Sequence, residues 1–395
     1  MNSRSFRLML AVTVLGFGGY ALLLPVVPLW VADAGAFAAG ATTGVLMLTT
    51  IATQLAVPWL VARVGYRPAL AAGLVLLGAP TPLLALSADL LPVLAVSAVR
   101  GVGFGLLTVV GSALVAELVA PAEHGRAAAR YGVAIGLPQL VLLPAGVAVV
   151  EAVGFTGVFV AAGVTPVLGA LAVVALRVPR PGGVPDPAEA GAGSAAPRAA
   201  AVGPLAAMLT CSVAQGGLIT FLPLAVPGGL LVAAALLVTA AGSLLGRTLA
   251  GRLVDRHGMT GRLLLPGVLL AAVGMGVEIL GLTAGPLVVV GPLVVVGSAV
   301  VGVGFGLVQN DALTALFAAS GPRRYGSASA AWNIAYDAGT GAGAVGLGAV
   351  AEPFGFRAAF GLSAVLLLVA APVVRPGRRS GARVRERPRP AGRRR

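Results

Sequence analysis

Charged or Gly/Pro-rich breaks divide the chain into twelve long apolar runs, at 7–31, 41–62, 68–87, 90–119, 127–150, 155–177, 204–226, 229–253, 262–282, 286–318, 326–350 and 355–374. A helix that crosses a bilayer needs about 20 mainly apolar residues, which each run supplies. A membrane β-barrel would instead show short segments alternating between apolar and polar. Stretches such as LLPVLAVSAVRGVGFGLLTVVGSALVAELV, from Leu90 to Val119, fit helices alone. The predicted fold is an all-α membrane protein of twelve transmembrane helices. The opening MNSRSFRLML has the basic start of a signal peptide, but its apolar run continues to Val31 without a cleavage site, so a retained first helix is expected.

Between the sixth and seventh runs, the Pro-, Gly-, Ala- and Ser-rich segment 178–203 cannot bury an apolar face and reads as a flexible linker. It separates two six-helix bundles, 1–177 and 204–375, and residues 376–395 form an Arg-rich tail. The bundles repeat one another. Ser97-Ala98-Val99-Arg100-Gly101-Val102-Gly103-Phe104-Gly105-Leu106 matches Ser298 to Leu307 at an offset of 201 (97 to 298), differing only at Arg100 against Val301. Gly18-Gly19 with Leu24-Pro25 matches Gly216-Gly217 with Leu222-Pro223 at 198 (18 to 216), and Arg63-Val64-Gly65 echoes Arg256-His257-Gly258 at 193 (63 to 256). A duplicated six-helix unit is the plan of carriers that rock two similar bundles about a midplane cavity.

Arginine positions predict orientation, since basic connections stay on the cytoplasmic side. Arg4 and Arg7, then Arg63 and Arg67, Arg126 and Arg130, the linker with Arg177, Arg180 and Arg198, then Arg252, Arg256 and Arg262, then Arg323 and Arg324 occupy every second connection. The opposite connections carry Asp33, Asp89 and Glu151 or no charge, and Arg357 alone breaks the pattern. Both termini are therefore expected in the cytoplasm, in a protein of the cytoplasmic (inner) membrane.

Composition agrees: 58% of residues are hydrophobic, 10% are charged and the mean hydropathy is +0.99, which cannot make a water-soluble surface. The net charge of +14 would point to nucleic acid in a soluble protein, but ten of the 27 basic residues, all arginine, lie between Arg375 and Arg395. At roughly 1 kcal/mol per basic residue near an anionic surface, such a tail suits anionic lipid or serves as a topology anchor, and no nucleic-acid partner is expected. The single Cys211 and two histidines offer neither a disulfide nor a metal site. No paired catalytic carboxylates, His cluster or nucleophile motif argues for an enzyme.

Gly251-Arg252-Leu253-Val254-Asp255-Arg256-His257-Gly258, preceded by Arg247, resembles the G-x-x-x-D-R-x-G signature of the major facilitator superfamily. The resemblance covers essentially the whole chain, and its exporter-type members also share segments like LLLPVVPLWV in the first run. It implies a cytoplasmic gate in which Asp255 pairs with arginines when the halves close and glycines admit close helix contact. The first-half counterpart keeps Arg63, Gly65 and Arg67 but has Pro58 for the glycine and Ala62 for the aspartate. Arg100-Gly101-Val102-Gly103 resembles the family's fourth-helix arginine motif, associated with proton coupling; the other reading is an arginine that snorkels or caps a neighbouring helix. Gly132, Gly136, Pro138, Pro144 and Gly146 echo the fifth-helix exporter motif without its Gly-Pro pair.

By the same resemblance, the first, fourth, seventh and tenth helices line a cavity flanked by the fifth, eighth and eleventh. The tenth and eleventh runs hold the main polar cluster: Gln309, Asn310 and Asp311, then Trp332, Asn333, Tyr336 and Asp337. Tyr20, Gln54, Gln139 and Gln215 are further cavity candidates, because a polar group in a membrane bundle must be satisfied within it. Asp311 or Asp337 is expected to take up and release a coupling proton, with interhelical hydrogen bonding as the alternative role. Glu278, on a peripheral helix, is expected to be structural.

The whole points to a monomeric secondary active transporter with no cofactor, driven by the proton gradient, that exports a small drug-like or metabolite molecule by alternating access. The alternatives are an uptake permease for a sugar or other metabolite and, more remotely, a membrane enzyme or a non-transporting receptor.

Overall fold

The computed structural model describes residues 4–119, 123–176, 198–283, 287–320 and 324–374, and among them every regular element is helical. We number the helices α1 (Arg4–Leu23), α2 (Val26–Trp30), α3 (Ala36–Val64), α4 (Tyr66–Gly78), α5 (Leu90–Glu117), α6 (His124–Val174), α7 (Arg198–Ala225), α8 (Gly229–His257), α9 (Leu264–Gly281), α10 (Leu287–Ser320) and α11 (Tyr325–Val374). Among the described residues, ten segments are long and apolar enough to cross a membrane. Two of these, in α6 and α11, span 49 and 50 residues, roughly twice what one crossing needs. Each folds at a glycine with positive φ, Gly154 (72°) and Gly355 (81°), so each supplies two legs, compatible with twelve passes. Leu48, Leu55, Leu91, Leu230 and Val369 are each more than 60% exposed, as befits a surface that faces lipid.

Proline decides where the observed helices depart from the predicted runs. The first run breaks at Pro25 into α1 and α2, and the third closes α4 at Gly78 and continues, past Pro80, as a 3₁₀ turn over Thr81–Leu86. Helix α7 begins at Arg198, inside the segment expected to be linker. The rest of that linker and the Arg-rich tail lie outside the described residues.

The repeated Gly-x-Gly-x-Gly has a packing reason. In α5, a Cβ on Gly101 or Gly105 would run into backbone of α3 at Leu46 or Thr50, and one on Gly103 into backbone of α4 at Gly73 and Leu77. In α10, Gly302 and Gly306 meet Thr239 and Ser243 of α8 in the same way, and Gly304 meets Gly267 and Ala271 of α9. Each central helix thus holds two neighbours at backbone contact, as small residues allow in lipid. The pairings repeat across the chain: α1 with α6 and α7 with α11, α3 with α5 and α8 with α10, α4 with α5 and α9 with α10.

The halves meet along two equivalent seams, α3 with α11 and α6 with α8. At the end opposite the arginine-rich connections, each seam closes on a carboxylate. Glu352, at the fold of α11, accepts the Phe37 N–H at the start of α3 (2.8 Å), and Glu151, at the fold of α6, accepts the Gly229 N–H at the start of α8 (3.0 Å). A carboxylate at a helix N-terminus contributes about 0.3–1 kcal/mol, and up to ~2 when partly buried. Glycine makes room: a Cβ on Gly35 would lie 2.6 Å from Glu352 Oε2, and Gly229 has no Cβ to meet Glu151. Replacing both glutamates by alanine should therefore shift the halves toward separation at this end by roughly threefold to thirtyfold. Spin labels on the facing ends of α3 and α11 should show a longer-distance population grow, and an unchanged distribution would count against the latch.

Candidate functional site

Between the halves lies a cavity with about 60 Å³ open to the centres of water-sized molecules, enough for a few waters. Its walls come from both bundles: Tyr20 of α1 and Gln139 of α6 on one side, Gln215 of α7, Thr239, Ser243 and Arg247 of α8, Phe305 and Gln309 of α10 and Tyr336 of α11 on the other. Of the nine residues chosen from the sequence as cavity candidates, Tyr20, Gln139, Gln215, Gln309 and Tyr336 meet here. Rings back this wall: Tyr20 stacks on Phe104 behind it with centroids 3.9 Å apart, and Tyr336 lies 6.0 Å from Phe305 and 6.1 Å from the parallel ring of Trp332, which stands outside the lining. The Tyr20 hydroxyl, Gln215 Oε1, Gln309 Oε1 and Trp332 Nε1 are buried without a hydrogen-bond partner.

The other candidates fall outside this wall. Asn333 donates to the Ser329 carbonyl of its own helix (2.9 Å), and Asn310 Nδ2 lies toward Gly251. Gln54 of α3 donates from Nε2 to Asp337 Oδ2 of α11 (2.8 Å) and approaches Thr108 Oγ1 (3.3 Å). That bond crosses the seam between the halves, with Asp337 3% and Gln54 8% exposed. Asp337 directly follows the cavity residue Tyr336 on α11.

Asp311 is placed differently from Asp337. Its Oδ1 accepts the Gly261 N–H (2.7 Å) and its Oδ2 the Leu263 N–H (2.8 Å), so it ties the turn between α8 and α9 to α10. Asp311→Ala would strand two N–H donors and should destabilise the protein by about 3 kcal/mol, with Asp311→Asn in between. Thermal unfolding in detergent reads this directly, and an unchanged midpoint would contradict it. Glu278 is fully buried between α9 and α10, accepting the Ser298 hydroxyl (2.7 Å), away from the cavity.

Two arginines stand in the membrane interior. Arg100 is 2% exposed, borders a small recess with Tyr20, Ser97 and Thr42, and leaves Nε without a partner. Arg247 lines the cavity itself, near Tyr336. In the sequence, Arg247 read only as a flank of the gate motif. At eight positions before Asp255 and 1.5 Å of rise per residue it sits about 12 Å deeper, and that count was the available signal.

The gate residues lie at the arginine-rich end. Gly65 (φ 81°) closes α3 and Gly258 (φ 61°) closes α8, each N–H returning to a carbonyl of the last turn, Val61 and Val254. Arg63 lies over the Trp59 ring at 4.1 Å, and Arg67 donates to the Val174 carbonyl. Gly251, Asp255 and Arg256 sit on the last two turns of α8; Asp255 is exposed, and no ion pair to it forms among the described residues.

The fold has many relatives of known structure. It is similar to a bacterial homologue of the human lysosomal transporter Spinster, solved in inward-facing unoccupied and occupied conformations (16% identity, TM-score 0.75, covering 94% of this chain and 97% of that one). The nucleoside transporter NupG matches at 14% identity and TM-score 0.70, over 93% and 98% of the two chains. The peptide transporter POT matches at 17% and 0.73, over 93% of each. No curated protein sequence matches the chain. The family model of the Major Facilitator Superfamily, however, matches residues 9–344. The chain is thus a multi-pass membrane transporter for a small molecule, not an enzyme, and belongs to the Major Facilitator Superfamily.

Proposed function

We propose that the protein is a proton-coupled exporter of a small molecule, working by alternating access with Asp337 as its proton site. The observation that carries this is the Gln54–Asp337 hydrogen bond, which joins the halves in the bilayer interior beside the cavity. An ionised acceptor makes this bond charge-assisted, and a protonated one weakens it. Proton binding and separation of the α3–α11 seam are then linked, and by reciprocity each favours the other. Asp311 is left to its tether and Glu278 to helix packing, so one carboxylate couples. The gradient supplies the driving force without a cofactor. The arginine-rich end faces the cytoplasm with both termini, in the cytoplasmic membrane, and the monomer suffices because one chain encloses the whole cavity. Substrate-induced proton movement in proteoliposomes, followed with a pH-sensitive dye over a panel of drugs, sugars, amino acids and organic acids, tests the reading. Substrate flux that never moves protons would exclude it.

A further inference from the structure

An arginine buried in a membrane protein must find a carboxylate, a carbonyl or water, because an uncompensated charge there costs about 2.5–3.5 kcal/mol even on insertion scales. Arg100, buried, and Arg247, half-buried in the cavity wall, have no carboxylate partner among the described residues. Asp337 is engaged across the seam by Gln54 instead (2.8 Å). The cavity region therefore carries two positive charges against one aspartate that is occupied elsewhere. Around Arg247 the walls offer neutral hydrogen-bonding groups, Gln215 and Gln309 with unpartnered Oε1 and Tyr20 with an unpartnered hydroxyl. A lipophilic cation would meet repulsion here and no free carboxylate. An anion would neutralise Arg247 bidentately, and Arg100, behind Tyr20, would add long-range attraction.

Resting on the carrier reading above, we propose that the substrate is a small polar organic anion, held through a carboxylate or phosphate on Arg247, whose hydroxyl or amine donors meet Gln215 and Gln309. The acceptor oxygens of the two glutamines require such donors, and the stacked rings leave a compact apolar wall for the carbon skeleton. Drug-like amphipathic cations are thereby excluded as the main cargo.

The test uses the full chain and matched probes: lactate, malate and glycerol phosphate against lactamide, malamide and glycerol, with ethanolamine as the amine. Ligand-induced thermal stabilisation of the detergent-solubilised protein reports binding, and counterflow in proteoliposomes reports transport. One or more anions should stabilise the wild-type protein while their amide, alcohol and amine counterparts do not. Arg247→Gln should weaken that anion at least tenfold, with Arg100→Gln weaker in effect. The comparison within wild-type protein does not depend on any variant folding. Stabilisation by none of the anions, stronger stabilisation by an uncharged or amine counterpart, or undiminished anion binding in Arg247→Gln would each overturn the proposal. Transport of amines or neutral polyols alone would overturn it and leave the carrier standing. Anion binding lost in Arg247→Gln, with no anion moved across the bilayer, would uphold the site and bring down the transport reading instead.

Discussion

Asp337→Asn is expected to bring substrate-driven proton movement in proteoliposomes to the level of empty vesicles, while substrate counterflow persists. Asparagine is isosteric with aspartate, and its side-chain carbonyl can still accept from Gln54 Nε2, so the link across the seam survives without a proton site. Of the three buried carboxylates among the described residues, only this one bridges the halves: Asp311 holds two backbone N–H groups and Glu278 holds Ser298. Gln54→Leu provides the complementary outcome, since Asp337 keeps its proton but loses the partner that ties protonation to closure. Proton binding should then continue while coupling slips. Wild-type proton movement in Asp337→Asn would place coupling elsewhere.

The second large effect concerns folding. Gly304→Val and Gly306→Val are each expected to abolish recovery of monodisperse protein from detergent extracts. A Cβ on Gly304 would stand 2.6 Å from both Ala271 N and Gly267 O, and one on Gly306 would stand 2.9 Å from Arg247 N. These neighbours are backbone atoms, which cannot rotate away as a side chain would. Overpacking of this sort costs about 1–3 kcal/mol or more, and relief requires α10 to move off α8 and α9 together. That motion would also displace Ser243, Arg247, Phe305 and Gln309, so any protein that survived should bind substrate poorly. Gly276, on α9 with nothing within 4 Å of its added Cβ, is the control: Gly276→Ala should express and elute as wild type. A well-behaved Gly304→Val protein would show that α10 has room to move off α9 and would contradict the packing role of these glycines.

Much of the architecture was legible because hydropathy is a property of the chain in one dimension. Long apolar runs cannot lie in water, and a spanning segment must satisfy its own backbone, so the helices and their approximate ends follow from composition along the sequence. The duplication was also readable, and with it the two-bundle plan of a carrier, although the backbone contacts that the repeated glycines serve were not. One further repeat lay open and unused: Glu151-Ala-Val-Gly154-Phe155 and Glu352-Pro-Phe-Gly355-Phe356, again 201 residues apart, mark the folds of α6 and α11 and their latches.

The cavity was legible only in part, and the reason is physical. Helices made of Ala, Gly, Val and Leu are apolar all round, so no stripe tells which side faces lipid, a neighbour or the cavity. Asp311 and Asp337 look alike in the sequence, yet one meets a turn and the other meets Gln54, 283 positions away. Arg247 read as part of a surface gate until helix depth put it in the wall. Hydropathy and repetition along the chain are enough to tell that it crosses the membrane as helices in two duplicated halves. Which polar groups converge was decided only by tertiary structure, because glycine contacts, proline breaks and the seams between halves set each helix's rotation and depth.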